Sequence, residues 1–181
     1  MPTSGTVVIE SSVRWSDKLV AMVMMSKSGD QECPVILKMP EFNQKKINYI
    51  NWYSDSFYTH KKGYNMCLRV DGDGFGDAKG THLSVFLYLM KGPHDNELTW
   101  PLRGNFKIKL LNQISDREHH AMTVSYDDHV LDKYTAKVRK GEKATCGWGI
   151  AKFISNEDLH MTTLTYQYLK DDCLFLQVTK L

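Results

Sequence analysis

The sequence predicts an all-β fold, an eight-stranded antiparallel β-sandwich preceded by a short helix. Two observations carry this. Beyond Pro34 about eight apolar segments of strand length recur, separated by turn-rich connections, and almost no segment there shows helical periodicity. Within Asn105 to Leu111, moreover, Phe106, Ile108 and Leu110 alternate with Lys107 and Lys109, the period of a strand with one buried face. Nothing in the pattern shows closure, so a barrel stays open as an alternative. A chain of 181 residues suffices for one domain with a real core and is short for two.

The N-terminal segment, residues 1–33, differs from the rest. Met1 to Gly5 has the composition of a disordered start. Ser12 to Met25 forms a short helix with Trp15, Leu19 and Met22 on one stripe, and Ser26 to Gln31 breaks it. Such a helix is too short to stand alone in water. It either packs on its own domain or is the last turns of a coiled coil. Residues 34–181 then form the compact domain. Val35 to Met39 is a β-branched, apolar strand, Glu41 to Ile50 a polar loop, and Asn51 to His60 an aromatic strand.

Gly63 to Gly92 organises the chain as a long hairpin. Tyr64, Met66, Leu68 and Val70 alternate with Asn65, Cys67 and Arg69, which predicts one buried face. Leu83 to Met90 is apolar on both faces and belongs at the centre of a sheet. The connection, rich in glycine at 72, 74, 76 and 80, reads as a mobile, solvated tip. It fits no phosphate or calcium motif. Phe75 and His82 stand where a calcium loop needs oxygen ligands, and Asp77 where a dinucleotide fingerprint needs its last glycine. Lys79 precedes Gly80-Thr81 instead of following a glycine.

The remaining strands follow in order. After a turn-rich connection to Pro101 comes the strand at Asn105 to Leu111. Gln113 to His120 is charged and solvated, and Met122, Val124 and Tyr126 mark another strand. Asp127 to Lys143 is a charge-rich surface loop, and Gly147 to Ile154 a strand with two glycines. Ser155 to Asp158 has the pattern of a helix-starting capping box, and Cys173 to Val178 closes the fold.

Composition excludes several function classes. The formal charge of +2, from 23 basic and 21 acidic residues, is no nucleic-acid footprint. No apolar run approaches the ~20 residues of a membrane span, and residues 1–30 lack a signal-peptide core. Cys33, Cys67, Cys146 and Cys173 have no zinc-knuckle spacing and read as free thiols in a reducing compartment, so a cytoplasmic protein without cofactor is expected. His119-His120 is the only adjacent histidine pair. There is no H-E-x-x-H motif and no nucleophile elbow, so neither an enzyme nor a lectin is indicated.

The assembled motifs resemble the C-terminal TRAF (MATH) domain of tumour-necrosis-factor-receptor-associated factors. They are SFYTHKKGYNMCLRV at Ser56 to Val70, GTHLSVFLYLMKG at Gly80 to Gly92, and Asp95-x-x-Leu98-x-Trp100-Pro101. Leu111-Asn112-Gln113, Lys152-Phe153-Ile154-Ser155 and Leu169-Lys170-Asp171-Asp172-x-x-Phe175 follow in family order. Leu102 and Asn112 depart from the family's usual Phe and Asp. The resemblance implies a sandwich clustered as a homotrimer through a preceding coiled coil. It also implies an adaptor that takes short linear peptides of receptor tails or signalling adaptors as an added strand. No RING or zinc-finger module is visible within the chain, so no ubiquitin-ligase chemistry is expected of it.

The resemblance also suggests which residues line the peptide groove. In one subgroup a serine-rich loop, a Tyr and an Asp grip the ligand. Here Arg69 matches, but Asp71 stands for the Tyr, Phe75 for the Asp, VLDKY at Val130 to Tyr134 for the serines, and Cys146 for a further serine. A second subgroup carries Gly-Phe-Gly-Tyr on the peptide-pairing strand, and Gly147-Trp148-Gly149-Ile150 is similar. In that subgroup the arginine and the aromatics receive an aromatic or acidic peptide side chain; carried over, Arg69 supplies charge and the Trp148 indole the apolar wall, a sound cation–π pair. Gly147 and Gly149 admit the peptide backbone. The alternatives are a structural, oligomerisation module with a degenerate groove, a Trp148 that is simply core, and an Arg69 that simply pairs with Asp71.

Overall fold

The computed structural model describes residues 14–25 and 31–181. The disordered start expected at Met1 to Gly5, and most of the break from Ser26, lie outside them. The described chain is a sandwich of two antiparallel sheets, not a barrel. The strands are β1 (Val35–Met39), β2 (Trp52–Tyr53), β3 (Phe57–Tyr58), β4 (Asn65–Asp71), β5 (His82–Met90), β6 (Gly104–Leu110), β7 (His120–Tyr126), β8 (Trp148–Ser155) and β9 (Leu174–Lys180). One sheet runs β1-β9-β6-β7. The other runs β2-β4-β5-β8, with β3 also on β4. Period-2 burial places Phe106, Ile108 and Val178 of one sheet against Met66, Leu68 and Leu87 of the other in a single core.

The expected strand at Asn51 to His60 is two strands. Both pair with β4, Trp52 opposite Val70 and Phe57 opposite Met66. Ser54 bridges the interruption, its N–H donating to Leu68 O at 2.8 Å and its Oγ accepting from Leu68 N–H at 3.0 Å. The hydroxyl takes the place of one backbone acceptor in the ladder, so eight expected strands become nine.

Further expectations need correction. Glu41 to Ile50 is not all loop, because α2 (Phe42–Ile47) forms there. Phe42 is fully buried, and Asp172 receives the Phe42 N–H at its carbonyl and the Asn43 N–H at Oδ1. Burying one aromatic ring against the core outweighs the polarity around it. β4 is covered on both faces, since Cys67 and Asp71 are as buried as Leu68. The glycine-rich tip is an ordered turn. Ala78 is fully buried, Gly80 N–H donates to Asp73 O at 2.6 Å, and Phe75 N–H donates to Ser84 Oγ at 2.9 Å. Gly74, at φ +81°, is where a side chain has no room, its Cβ falling 2.6 Å from His82 O.

The charge-rich stretches also hide anchors. Gln113 is buried and donates to Cys173 O at 2.9 Å. Val130 and Val138 insert into the core on either side of α3 (Asp132–Thr135). The capping box is observed: Ser155 Oγ accepts from Asp158 N–H at 3.1 Å and opens α4 (Asn156–His160). The four thiols are free.

α1 (Trp15–Met25) packs on its own domain. Leu19 is fully buried against Leu111 and Phe175 with Ile36 beside them, on the outer side of the β1–β9 pair. Trp15 Nε1 donates to Asn112 O at 2.7 Å. Of the predicted stripe, Trp15 and Leu19 face the sheet, while Met22 is 43% exposed and Val23 packs in its place. Leu19→Ala is expected to lower the unfolding free energy by about 2–3 kcal/mol, the lower part of the range for a buried leucine. Urea denaturation of the full chain measures it. A loss under about 0.5 kcal/mol, the size of an ordinary surface substitution, would mean that α1 does not stay docked in solution.

Candidate functional site

The candidate site begins with β8, the last strand of its sheet. β8 pairs with β5 on one side, and among the described residues no strand pairs with its other side. His120 on β7 bonds the Phe153 carbonyl at 2.6 Å, so the open margin is Trp148 to Lys152. Such a margin offers unpaired backbone N–H and C=O groups to an incoming chain.

Beside this margin lies a cleft of about 440 Å³. Its far wall is Arg69 of β4 and Phe75 of the hairpin turn. Its floor is Phe86 and Tyr88 of β5 under Gly147 and Gly149, and its near rim is Tyr134, Cys146 and Trp148. Register explains the arrangement. Arg69 stands opposite Phe86, and Phe86 opposite Gly149, so all three share the outer face of the sheet. Phe86 is half-buried and lines the cleft.

The two glycines have a structural reason different from the expected one. A Cβ at Gly149 would run into the Val85 carbonyl and stand 2.6 Å from Phe86 Cα. One at Gly147 would enter the Tyr88 ring, 2.9 Å from its Cζ. Both glycines therefore let β8 approach β5, where the ladder shifts register between Leu83 and Val85.

Arg69 is the most heavily bonded side chain of the cleft. Nε donates to Asp71 Oδ1 at 2.7 Å, Nη2 to Asp71 Oδ2 at 2.6 Å and Nη1 to Tyr88 Oη at 3.0 Å. With its amide oxygen turned to the guanidinium, Asn51 accepts from Nη2 at 3.0 Å and donates to Asp71 Oδ1 at 2.9 Å. Burial pulls the Arg69 pKa down, but the bonds to Asp71 and Tyr88 and the Asp71 charge outweigh it and hold it above the ordinary value. Burial raises the Tyr88 phenol, and the Arg69 charge opposes it. Burial also pushes the Cys67 thiol up to about 11.

The sequence-predicted residues are thus only partly brought together. Arg69, Phe75, Cys146, Gly147, Trp148 and Gly149 line one cleft. Asp71 lies beneath Arg69, 4% exposed, and opens instead onto a neighbouring depression of about 340 Å³. Ile150 stands opposite Val85 on the core side and does not line the cleft.

The expected guanidinium-over-indole pair is not formed. The rings around Arg69 Cζ are Tyr53 at 6.0 Å, Phe75 at 5.6 Å and Phe86 at 5.8 Å. Trp148 stands opposite Leu87 on the other side of the sheet, packs partly on the core beside Tyr134, and donates Nε1 to Ser125 O at 3.0 Å. Strand alternation separates the two: residue 149, not 148, shares the face of Arg69. Sequence reasoning missed Phe86, Tyr88 and Asn51, and placed Tyr134 only as the end of the stretch standing for the serine loop. The signal for the first two was available in the aromatic residues on the second face of β5.

Comparison with known proteins gives a consistent result. Residues 49–177 match the family model described as TRAF/meprin, MATH domain. The chain is 33% identical over 149 residues to TNF receptor-associated factor 5 of Mus musculus, covering 80% of this chain and 26% of that protein. It is 48% identical over 120 residues to TNF receptor-associated factor 2 of Homo sapiens, covering 61% and 24% respectively. Its fold is similar to that of Notothenia coriiceps TRAF5, with a TM-score of 0.75 at 23% identity, over 90% of this chain and 80% of that one. The chain spans about a quarter of the length of these two curated relatives.

The glycine geometry predicts an order of tolerance. Gly149→Ala is expected to destabilise by about 1–3 kcal/mol, because the clash is with backbone that cannot move aside. Gly147→Ala meets the Tyr88 side chain, which Arg69 holds at its hydroxyl but which can shift where backbone cannot, and its effect should be smaller. Equilibrium denaturation of both variants measures this, and equal losses would contradict the reading.

Proposed function

Since this chain belongs to the TRAF/MATH-domain family, whose curated relatives carry receptor association in their names, we propose that it is a non-enzymatic signalling adaptor domain. It binds short linear peptides of receptor tails or adaptors by strand addition along β8. The observation that carries this is the open margin of β8 running beside an aromatic cleft. Main-chain bonds to Trp148 through Lys152 hold the peptide, and alternate side chains enter the cleft or pass outside it. No helix among the described residues is long and apolar enough to cross a membrane.

Clustering as a homotrimer completes the proposal. Single peptides bind such open edges weakly, and three linked sites raise avidity through effective concentration. Met24 on α1, 69% exposed, supports a second apolar contact for that helix besides its own domain.

A second reading is a structural module whose groove no longer binds. The internal pairing of Arg69 with Asp71 favours it, because that cation is not available to a ligand.

Strand addition has a specific test. A decapeptide selected on an immobilised library is resynthesised with single N-methyl groups at successive residues. Methylation at one set of alternate residues should weaken binding at least tenfold and at the other set hardly at all, measured by fluorescence polarisation. A flat profile would contradict strand addition. A chain that sediments as a trimer and selects no peptide would establish the second reading instead.

A further inference from the structure

We propose that the cleft beside β8 selects an uncharged aromatic or large aliphatic peptide side chain and rejects a carboxylate, because Asp71 already occupies the place an acidic ligand would take. The inference rests on the strand-addition reading and names what that site chooses.

The donor inventory of Arg69 carries it. A guanidinium has five N–H groups. One on Nε, one on Nη1 and two on Nη2 are engaged by Asp71, Tyr88 and Asn51, which makes four. The fork that would clamp a ligand carboxylate in two parallel bonds is therefore closed by the protein's own carboxylate. Asp71 is fixed there, its side chain 5% exposed and that of Arg69 15%. A second carboxylate in the cleft would meet a neutralised cation and the Asp71 charge behind it.

What the cleft does offer is ring surface. Phe75, 53% exposed, meets Phe86 edge-to-face with centroids 5.4 Å apart. These rings, stacked about Arg69, leave their remaining faces to a visitor above the bare backbone of Gly149. A volume of about 440 Å³ accommodates an indole or a phenyl ring.

The other cations nearby do not restore an acidic preference. Lys143 Nζ lies 3.3 Å over the Tyr53 ring and 5.0 Å from Tyr88, and Lys143 does not line the cleft. Lys133 stands exposed over Tyr134 at the rim, where solvent and salt screen it. It can steer an approaching acidic segment without choosing the residue that enters.

The test is a positional-scanning library of fluorescein-labelled decapeptides on the full chain. The position facing the cleft is the one whose selectivity collapses in Phe86→Ala. There the wild type should favour Phe, Tyr, Trp, Leu and Met at least tenfold over Asp and Glu. Asp71→Asn, which removes the charge and keeps the shape, should raise Asp and Glu peptides at least tenfold relative to wild type. Preference of the wild type for Asp or Glu overturns the inference and leaves strand addition standing, and so does an unchanged profile in a folded Asp71→Asn. Binding of no peptide overturns strand addition and this inference together. If Asp71→Asn does not fold, the wild-type preference alone decides.

Discussion

The close seating of β8 on β5 is the constraint on which the site depends. A side chain at 149 would push the strands apart, and one at 147 would displace the Tyr88 ring. Tyr88 in turn is the acceptor for Arg69 Nη1, and Arg69 holds Asp71 and stands among Tyr53, Phe75 and Phe86. Two absent side chains therefore propagate to the far wall of the cleft. Strand spacing, the ion pair and the apolar wall are one mechanical unit.

The ion pair organises the wall. Taking a guanidinium and a carboxylate out of water is costly, and here bidentate geometry plus a phenol and an amide offset that cost. Removing only one partner would strand the other, at a cost of about 3 kcal/mol, the low end for buried pairs because Arg69 keeps some exposure. What remains is a fixed, locally neutral face bearing aromatic rings. Rigid aromatic surface beside an unpaired strand suits recognition of an extended chain, since little entropy is lost in ordering the groove.

Much of the fold was legible because alternation is a strong signal. Phe106, Ile108 and Leu110 could be assigned to one face from the sequence, and the hairpin of β4 and β5 was visible from its two apolar runs. What escaped was set by tertiary contact. Phe42 turns a lysine-bearing stretch into a helix by burying one ring, and Asp172, distant in sequence, caps it. Ser54 divides one expected strand into two. The glycine-rich tip looked free because its anchors, Asp73 carbonyl to Gly80 and Ser84 hydroxyl to Phe75, leave no pattern in composition. For the site, residue types were legible and faces were not. Arg69 and Trp148 each border the cleft, but a single-residue offset puts the indole against Leu87 and the Ser125 carbonyl instead of against the guanidinium.

The outer margin of β8, unpaired among the described residues, is proposed to become paired when peptide binds. Residue-resolved amide hydrogen exchange across Trp148 to Lys152, without and with a saturating library-selected peptide, tests it most directly. The free chain should show alternating behaviour, slow exchange for amides turned to β5 and fast exchange for those turned outward, with the fast set becoming slow when peptide is bound. Uniformly slow exchange in the free chain, or an outward set that stays fast at saturation, would contradict it.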